Sequence, residues 1–228
     1  MRKTARPRYW AIAALLLVVG SVSAQRGPMG GGMAPPEFRG ILNPVVGSGA
    51  AYEVQSPQGK NQMEITVVGK ESVDGKDGIW MEFAMNSPQG SGQMYMKMLM
   101  VLDDKNGSMT RMIMQMPGQS PMEMPMQGMM GNMQQNTPTD IRDTAEHVGT
   151  ESITTPAGTF NAEHYRVKDG GADVWISPQV SPWGLVKSEG RDTTMTVTRL
   201  ITGAQSHITG TPQQFDPMQM LRGMSRGR

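Results

Sequence analysis

Residues 93–116 read QMYMKMLMVLDDKNGSMTRMIMQM, and this stretch decides the predicted fold. Methionine occupies every second position in residues 94–100 and again in residues 112–116. A period of two places alternate side chains on opposite faces of a β-strand, so the pattern predicts two strands. Residues 103–107 predict the turn between them, because Asn-Gly readily adopts positive φ.

The register of this hairpin follows from the same alternation. If Met98 lies opposite Met112, a two-residue step along both strands brings the next methionines together as well. The predicted pairs are Met98 with Met112, Met96 with Met114, and Met94 with Met116. The hairpin therefore predicts one sheet face with seven thioethers, and these are the candidate ligand-binding residues: Met94, Met96, Met98, Met100, Met112, Met114 and Met116.

The first 24 residues predict a secretory signal peptide. An apolar segment, residues 11–19, is followed by small residues at positions 22–24 that suit a signal-peptidase site. The basic residues before it are Arg2, Lys3, Arg6 and Arg8. The apolar segment is too short to span a bilayer comfortably, so we expect no stable membrane span after cleavage. The expected location is the periplasm or the extracellular space.

Composition and charge exclude several classes of function. The chain has no cysteine, which rules out disulfides and thiol catalysis. After removal of the basic signal segment, acidic residues outnumber basic ones, so no nucleic-acid partner is expected. The motifs S-x-x-K and H-E-x-x-H are absent from the sequence. We therefore expect a protein that is not an enzyme.

The rest of the chain predicts one domain. Residues 25–40 form a Gly/Pro-rich linker. Residues 41–210 alternate short strands with tight turns, which predicts a single antiparallel β domain that includes a Met-rich loop at 117–138. Residues 211–228 form a C-terminal tail.

The predicted fold class is mainly β. Sequential hairpins make an antiparallel sheet that twists and must bury one face. We expect the sheet to curl into a half-barrel or open barrel, with short helices or a loop flap. A two-sheet β-sandwich is the alternative.

The segment TTPAGTF at residues 154–160, followed by His164-Tyr165-Arg166, resembles a strand–turn–strand motif of uncharacterised secreted bacterial β proteins. Those proteins are related to the lipoprotein-carrier superfamily of LolA, LolB and LppX-like proteins. The segment VWISP at residues 174–178 and GLVK at residues 184–187 are similar to paired strands of the same group. The resemblance implies an incomplete β-barrel, cupped over an apolar cavity, in a protein that carries lipids or acyl chains. It implies no catalytic residues.

The methionines permit three interpretations. They could fill the core, because methionine is apolar and flexible. They could line a concave sheet face that binds an apolar ligand such as a lipid or an acyl chain, which is the function we expect. They could also bind Cu(I) or Ag(I), since soft thioethers select soft ions. The candidate metal ligands are Met122, Met124, Met126, Met129, Met130 and Met133.

No cofactor is expected unless the metal interpretation holds, in which case it is Cu(I). A structural or partner-binding module is a further alternative, and the sequence names no protein partner.

Overall fold

The computed structural model describes residues 41–86, 92–102, 106–124, 137–138, 140–143, 145–167 and 172–214. The chain divides into two units, Met1–Pro36 and Glu37–Arg228, and all described residues belong to the second. The predicted signal peptide, residues 1–24, and the predicted linker, residues 25–40, lie outside the described residues.

The described residues form thirteen strands and one 3₁₀ turn, Ile141–Asp143. The strands are β1 (Ser48–Ser56), β2 (Gly59–Val73), β3 (Lys76–Asn86), β4 (Gln93–Leu102), β5 (Asn106–Gln115), β6 (Met122–Met124), β7 (Thr137–Pro138), β8 (Ala145–Thr155), β9 (Gly158–Val167), β10 (Asp173–Ile176), β11 (Leu185–Glu189), β12 (Thr194–Thr202) and β13 (Gln213–Gln214). The described turns that join β1 to β2, β2 to β3 and β8 to β9 contain Pro57, Asp74-Gly75 and Pro156, residue types that favour turns. Of the predicted hairpin turn at residues 103–107, Asn106 and Gly107 begin β5, and residues 103–105 lie outside the described residues.

All thirteen strands join in one sheet, in the order β13-β6-β5-β4-β3-β2-β1-β12-β11-β10-β9-β8, with β7 beside β5. The described strand pairs are antiparallel except β13 with β6. The path of strands is open, because β13 and β8 stand at its two ends. The predicted mainly β, antiparallel fold is confirmed, and the sandwich alternative is wrong because the strands do not separate into two sheets.

The sheet curls so that its two halves share one apolar core. The ring of Phe83 on β3 lies 6.4 Å from the ring of Trp183, which precedes β11. The hydroxyl of Tyr52 on β1 donates a hydrogen bond to the carbonyl of Leu185 at 3.1 Å, and burial raises the pKa of this phenol. The side on which the halves meet is the inner face of the sheet.

The Met-rich segment predicted as a loop at residues 117–138 is partly in the sheet. Residues Met122–Met124 form β6, which pairs with β5. Residues Thr137–Pro138 form β7, which also pairs with β5. The prediction of an irregular loop is wrong at these positions, while residues 125–136 lie outside the described residues. Gln213 and Gln214, in the predicted C-terminal tail, pair with β6.

A strap formed by residues 203–214 lies against the outer face of the sheet. Ile208 of this strap packs with Trp80, Leu99 and Ile113. The carboxylate of Glu82 on β3 is only 1% exposed, and its partners come from the strap.

Three donors of the strap satisfy that buried carboxylate. The backbone N–H and Nδ1 of His207 each lie 2.8 Å from Glu82 Oε1, and Ser206 Oγ donates to Glu82 Oε2. The His207 ring also stacks on Tyr95, with ring centroids 4.8 Å apart. A buried charge without partners is costly, so the strap is part of the folded sheet.

We expect Gly49→Ala to lower the free energy of unfolding by about 2–3 kcal/mol. Gly49 pairs with Thr66, and a Cβ at Gly49 would lie 2.2 Å from the carbonyl oxygen of Ile65. The control is Gly149→Ala, a strand glycine whose Cβ would meet no atom within 4 Å. Urea unfolding followed by circular dichroism measures both, and equal midpoints would contradict the crowding of β1 against β2.

Candidate functional site

The methionine face, defined by the seven residues predicted from the hairpin, is largely as the alternation predicts. Met98 lies opposite Met112 and Met96 opposite Met114, in the predicted register. Met116 follows the last residue of β5, so its predicted pairing with Met94 is not part of the described ladder.

A bulge changes one end of this face. The register of β4 against β5 shifts between Leu99 and Met100, so that Met100 lies opposite Met109. Met109 is half-buried and packs against the core. The alternation in the sequence did not include Met109, because it is out of phase with Met112 until the extra residue of the bulge is counted.

The methionine face extends over neighbouring strands as two rows of opposed residues. The first row is Met81, Met98, Met112 and Met124, one residue from each of β3, β4, β5 and β6. The second row is Phe83, Met96, Met114 and Met122 on the same four strands. Directly opposed residues have Cβ atoms about 5 Å apart, so these thioethers are immediate neighbours.

Exposure divides the methionine face into two parts. Five of its members are core residues with 3–7% exposure: Met94, Met96, Met98, Met100 and Met112. Met114 and Met116 are half-buried, as are Met122 and Met124 on β6. We call these four half-buried residues the accessible strip. Core packing explains the first part, and the strip is where a ligand could touch the thioethers.

The structure locates two of the predicted metal ligands. Met122 lies opposite Met114, and Met124 lies opposite Met112. The other four, Met126, Met129, Met130 and Met133, lie outside the described residues. The alternation Met-Glu-Met spans only three residues, which is too short to predict a strand from sequence.

An ion pair on the outer face fixes the orientation of β6. Arg111 Nε lies 2.7 Å from Glu123 Oε1, and Arg111 Nη1 lies 3.2 Å from Glu71 Oε1. The guanidinium also lies 5.2 Å from the centroid of the Trp80 ring. The hydrogen bond from Arg111 lowers the pKa of Glu123, against the effect of partial burial. Because Glu123 is held on the outer face, its neighbours Met122 and Met124 face inward.

A second polar cluster surrounds His164. Its Nδ1 lies 2.8 Å from Glu151 Oε1, its Nε2 lies 2.7 Å from Asp173 Oδ1, and its ring stacks on Trp175. Burial raises the pKa of Asp173, but the hydrogen bonds from His164 and Arg166 outweigh this and the pKa is lowered. Both ring nitrogens of His164 are occupied by carboxylates, so the cluster ties β8, β9 and β10 together.

A cleft of about 490 Å³ lies beside this region and is lined by Arg142, Ala145, His147, Glu163 and Tyr165. The Tyr165 hydroxyl donates a hydrogen bond to the Glu163 carboxylate. Burial is the larger cause and this hydrogen bond the second cause that raise the pKa of Tyr165 to about 12. The phenol therefore keeps its proton at neutral pH. This cleft was not predicted from the sequence, because its lining residues come from two strands and a 3₁₀ turn and form no local motif.

Within the described part of the chain, no three His, Asp or Glu side chains come together in a way that could hold a metal ion. The same residues contain no helix that is both long and apolar enough to cross a bilayer.

Comparison with known proteins shows weak structural similarities. No family and no curated protein matches the chain. A Parabacteroides distasonis structure has 16% identity and a TM-score of 0.36, with 72% of this chain and 99% of that chain covered. A Bacteroides fragilis protein with a YmcC-like fold has 12% identity and a TM-score of 0.39, with the same coverage. MucB in complex with MucA(peri) has 11% identity and a TM-score of 0.39, with 72% of this chain and 53% of that chain covered.

These similarities assign neither a ligand nor an activity to this chain. The resemblance to the lipoprotein carriers stays a resemblance, and the curled antiparallel sheet rests on the strand order and packing described above.

We expect Met98→Ala to lower the free energy of unfolding by about 3 kcal/mol, because it leaves a cavity in the core. Met98 is 5% exposed between two other methionines of the first row. Met116→Ala is the matched control in the accessible strip, and we expect it to cost less than about 1 kcal/mol. Urea unfolding measures both. Equal losses would show that the two parts of the methionine face are buried alike.

We expect acid to loosen β6. The pKa of Glu123 is lowered from its ordinary 4.5, so the contribution of its pair with Arg111 is complete above that pH and is lost as the pH falls below it. The methyl signals of Met122 and Met124, observed by NMR after ¹³C-methyl labelling of methionine, should shift as the pH falls through the lowered pKa of Glu123.

The variant Glu123→Gln should remove this dependence, while Glu64→Gln, which breaks a pair with Arg199 far from β6, should keep it. Retention of the acid-dependent shift in Glu123→Gln would refute the role of the Arg111 pair.

Proposed function

We propose that the protein is exported and non-catalytic, and that it binds an apolar ligand such as a lipid acyl chain on the accessible strip of the methionine face. The observation that carries the proposal is the placement of half-buried Met114 directly opposite half-buried Met122, with Met124 and Met116 beside them. Four adjacent, partly exposed thioethers form an apolar surface at the margin of a closed core.

The chemistry of methionine suits such a ligand. Its unbranched side chain has three rotatable bonds, so neighbouring thioethers adjust to chains of different shape. Burial of an acyl chain against them would contribute about 0.8 kcal/mol per CH₂ group. The fully buried methionines behind the strip, such as Met96 and Met98, provide a dry floor.

Export is supported by the basic and apolar segments of the predicted signal peptide and by its small residues at positions 22–24. From that segment we infer a periplasmic or secreted location. The absence of the motifs S-x-x-K and H-E-x-x-H from the sequence supports a role without chemistry on the ligand.

Binding of a fluorescent fatty acid, dansyl-undecanoic acid, tests this function. We expect the probe to bind the mature protein with enhanced emission, and Met114→Lys to weaken binding at least about tenfold, because the ammonium group would have to be desolvated beneath the chain. The matched control is Ser108→Lys, which introduces the same charge at a half-buried position of the same strand. We expect its affinity to stay within about twofold of the parent.

Two results would overturn the proposal. One is the absence of probe binding to the unaltered protein. The other is equal affinity in Met114→Lys and the parent, provided that circular dichroism shows both to be folded.

A further inference from the structure

We propose that Met112, Met114, Met122 and Met124 form a binding site for one soft monovalent metal ion, Ag(I) or Cu(I). We call these four residues the methionine quartet. They occupy two adjacent strands, with Met112 opposite Met124 and Met114 opposite Met122. The site combines residues predicted separately as ligand-binding and metal-binding, and pairing of β5 with β6 brings the two sets together.

The backbone geometry allows the four sulfur atoms to converge. Opposed residues on paired strands have Cβ atoms about 5 Å apart, and residues two apart on one strand lie about 7 Å apart. The quartet thus occupies the corners of a small rectangle on one face of the sheet. Methionine has enough rotatable bonds for the thioethers at its corners to lean toward the centre.

The charges around the quartet favour a soft ion of low charge. The residues between its members, Ile113 and Glu123, point to the outer face, where Arg111 holds the Glu123 carboxylate. The ligands are therefore neutral thioethers, which select soft ions such as Cu(I) and Ag(I) over hard divalent cations. Because the Glu123 carboxylate lies on the outer face, opposite to the quartet, it cannot act as a hard oxygen ligand at the site.

The site is buried on its core side and partly exposed to solvent on its other side. Met112 is 4% exposed, and Met96 and Met98 on the neighbouring strand are each 5% exposed, so the back of the site is dry. Met114, Met122 and Met124 are half-buried. An ion can therefore reach three thioethers from solvent without opening the core, and the fourth lies next to them.

This site is independent of the proposed acyl-chain binding, although the two share a surface. Replacement of methionine by leucine removes the sulfur but nearly preserves volume and apolarity. The double variant Met114→Leu/Met122→Leu should therefore lose metal binding and keep fatty-acid binding. Failure of one proposal is then distinguishable from failure of the other.

The experiment titrates the mature protein with silver nitrate in a chloride-free buffer. Native mass spectrometry counts bound ions, and NMR follows the ¹³C-labelled methionine methyl groups, assigned through the leucine variants. We expect a high-affinity Ag(I) that shifts the methyl signals of all four quartet residues. In Met114→Leu/Met122→Leu the affinity should fall at least about tenfold, because two of four ligands are lost.

The matched control is Met63→Leu/Met195→Leu. Met63 and Met195 are buried at 5% and 7% exposure and belong to the same core, but neither belongs to the quartet. We expect the control to bind Ag(I) as the parent does. Unchanged Ag(I) affinity in the quartet variant, or Ag(I)-induced shifts confined to methionines outside the quartet, would overturn the proposal.

Discussion

The position of β4 between β3 and β5 is the constraint on which the rest of the sheet depends. Its alternation sends Met96 and Met98 into the core and leaves Leu99 for the outer face. A slip of one residue against either neighbour would exchange the two faces and expose the thioethers. The same register then determines what lies opposite each methionine on β5, and through β5 what lies opposite each residue of β6.

At β6, contacts on the outer face of the sheet determine the position of residues on the inner face. This strand has only three residues, and pairing with β5 and β13 holds its backbone. The carboxylate of its central residue, Glu123, accepts hydrogen bonds from Arg111 and from Gln214 of the strap. Contacts on the outer face thus hold two methionines in place on the inner face. A surface ion pair of this kind contributes little to global stability, but here it orients the residues of the candidate site.

The sequence predicts what repeats locally and misses what depends on distant parts of the chain. Four methionines at alternate positions in residues 94–100 are enough to predict a strand and its inner face, and the curled antiparallel sheet follows from successive hairpins. The three residues of β6 are too few for such a signal. Glu82 gave no signal either, since a charge on a strand normally indicates a solvent-facing position, and its donors, Ser206 and His207, lie 124 and 125 residues further along.

The pairing of β1 with β12 determines when the sheet can finish folding during synthesis. Thr198 on β12 donates to the carbonyl of Ala51 across 147 positions of the chain. A polypeptide that emerges amino end first must wait for nearly its whole length before these strands meet, and contacts so far apart form slowly. In that interval β1 is paired with β2 on one side and lacks β12 on the other. Such a delay is compatible with the export proposed above, in which the chain would cross a translocation channel before it folds.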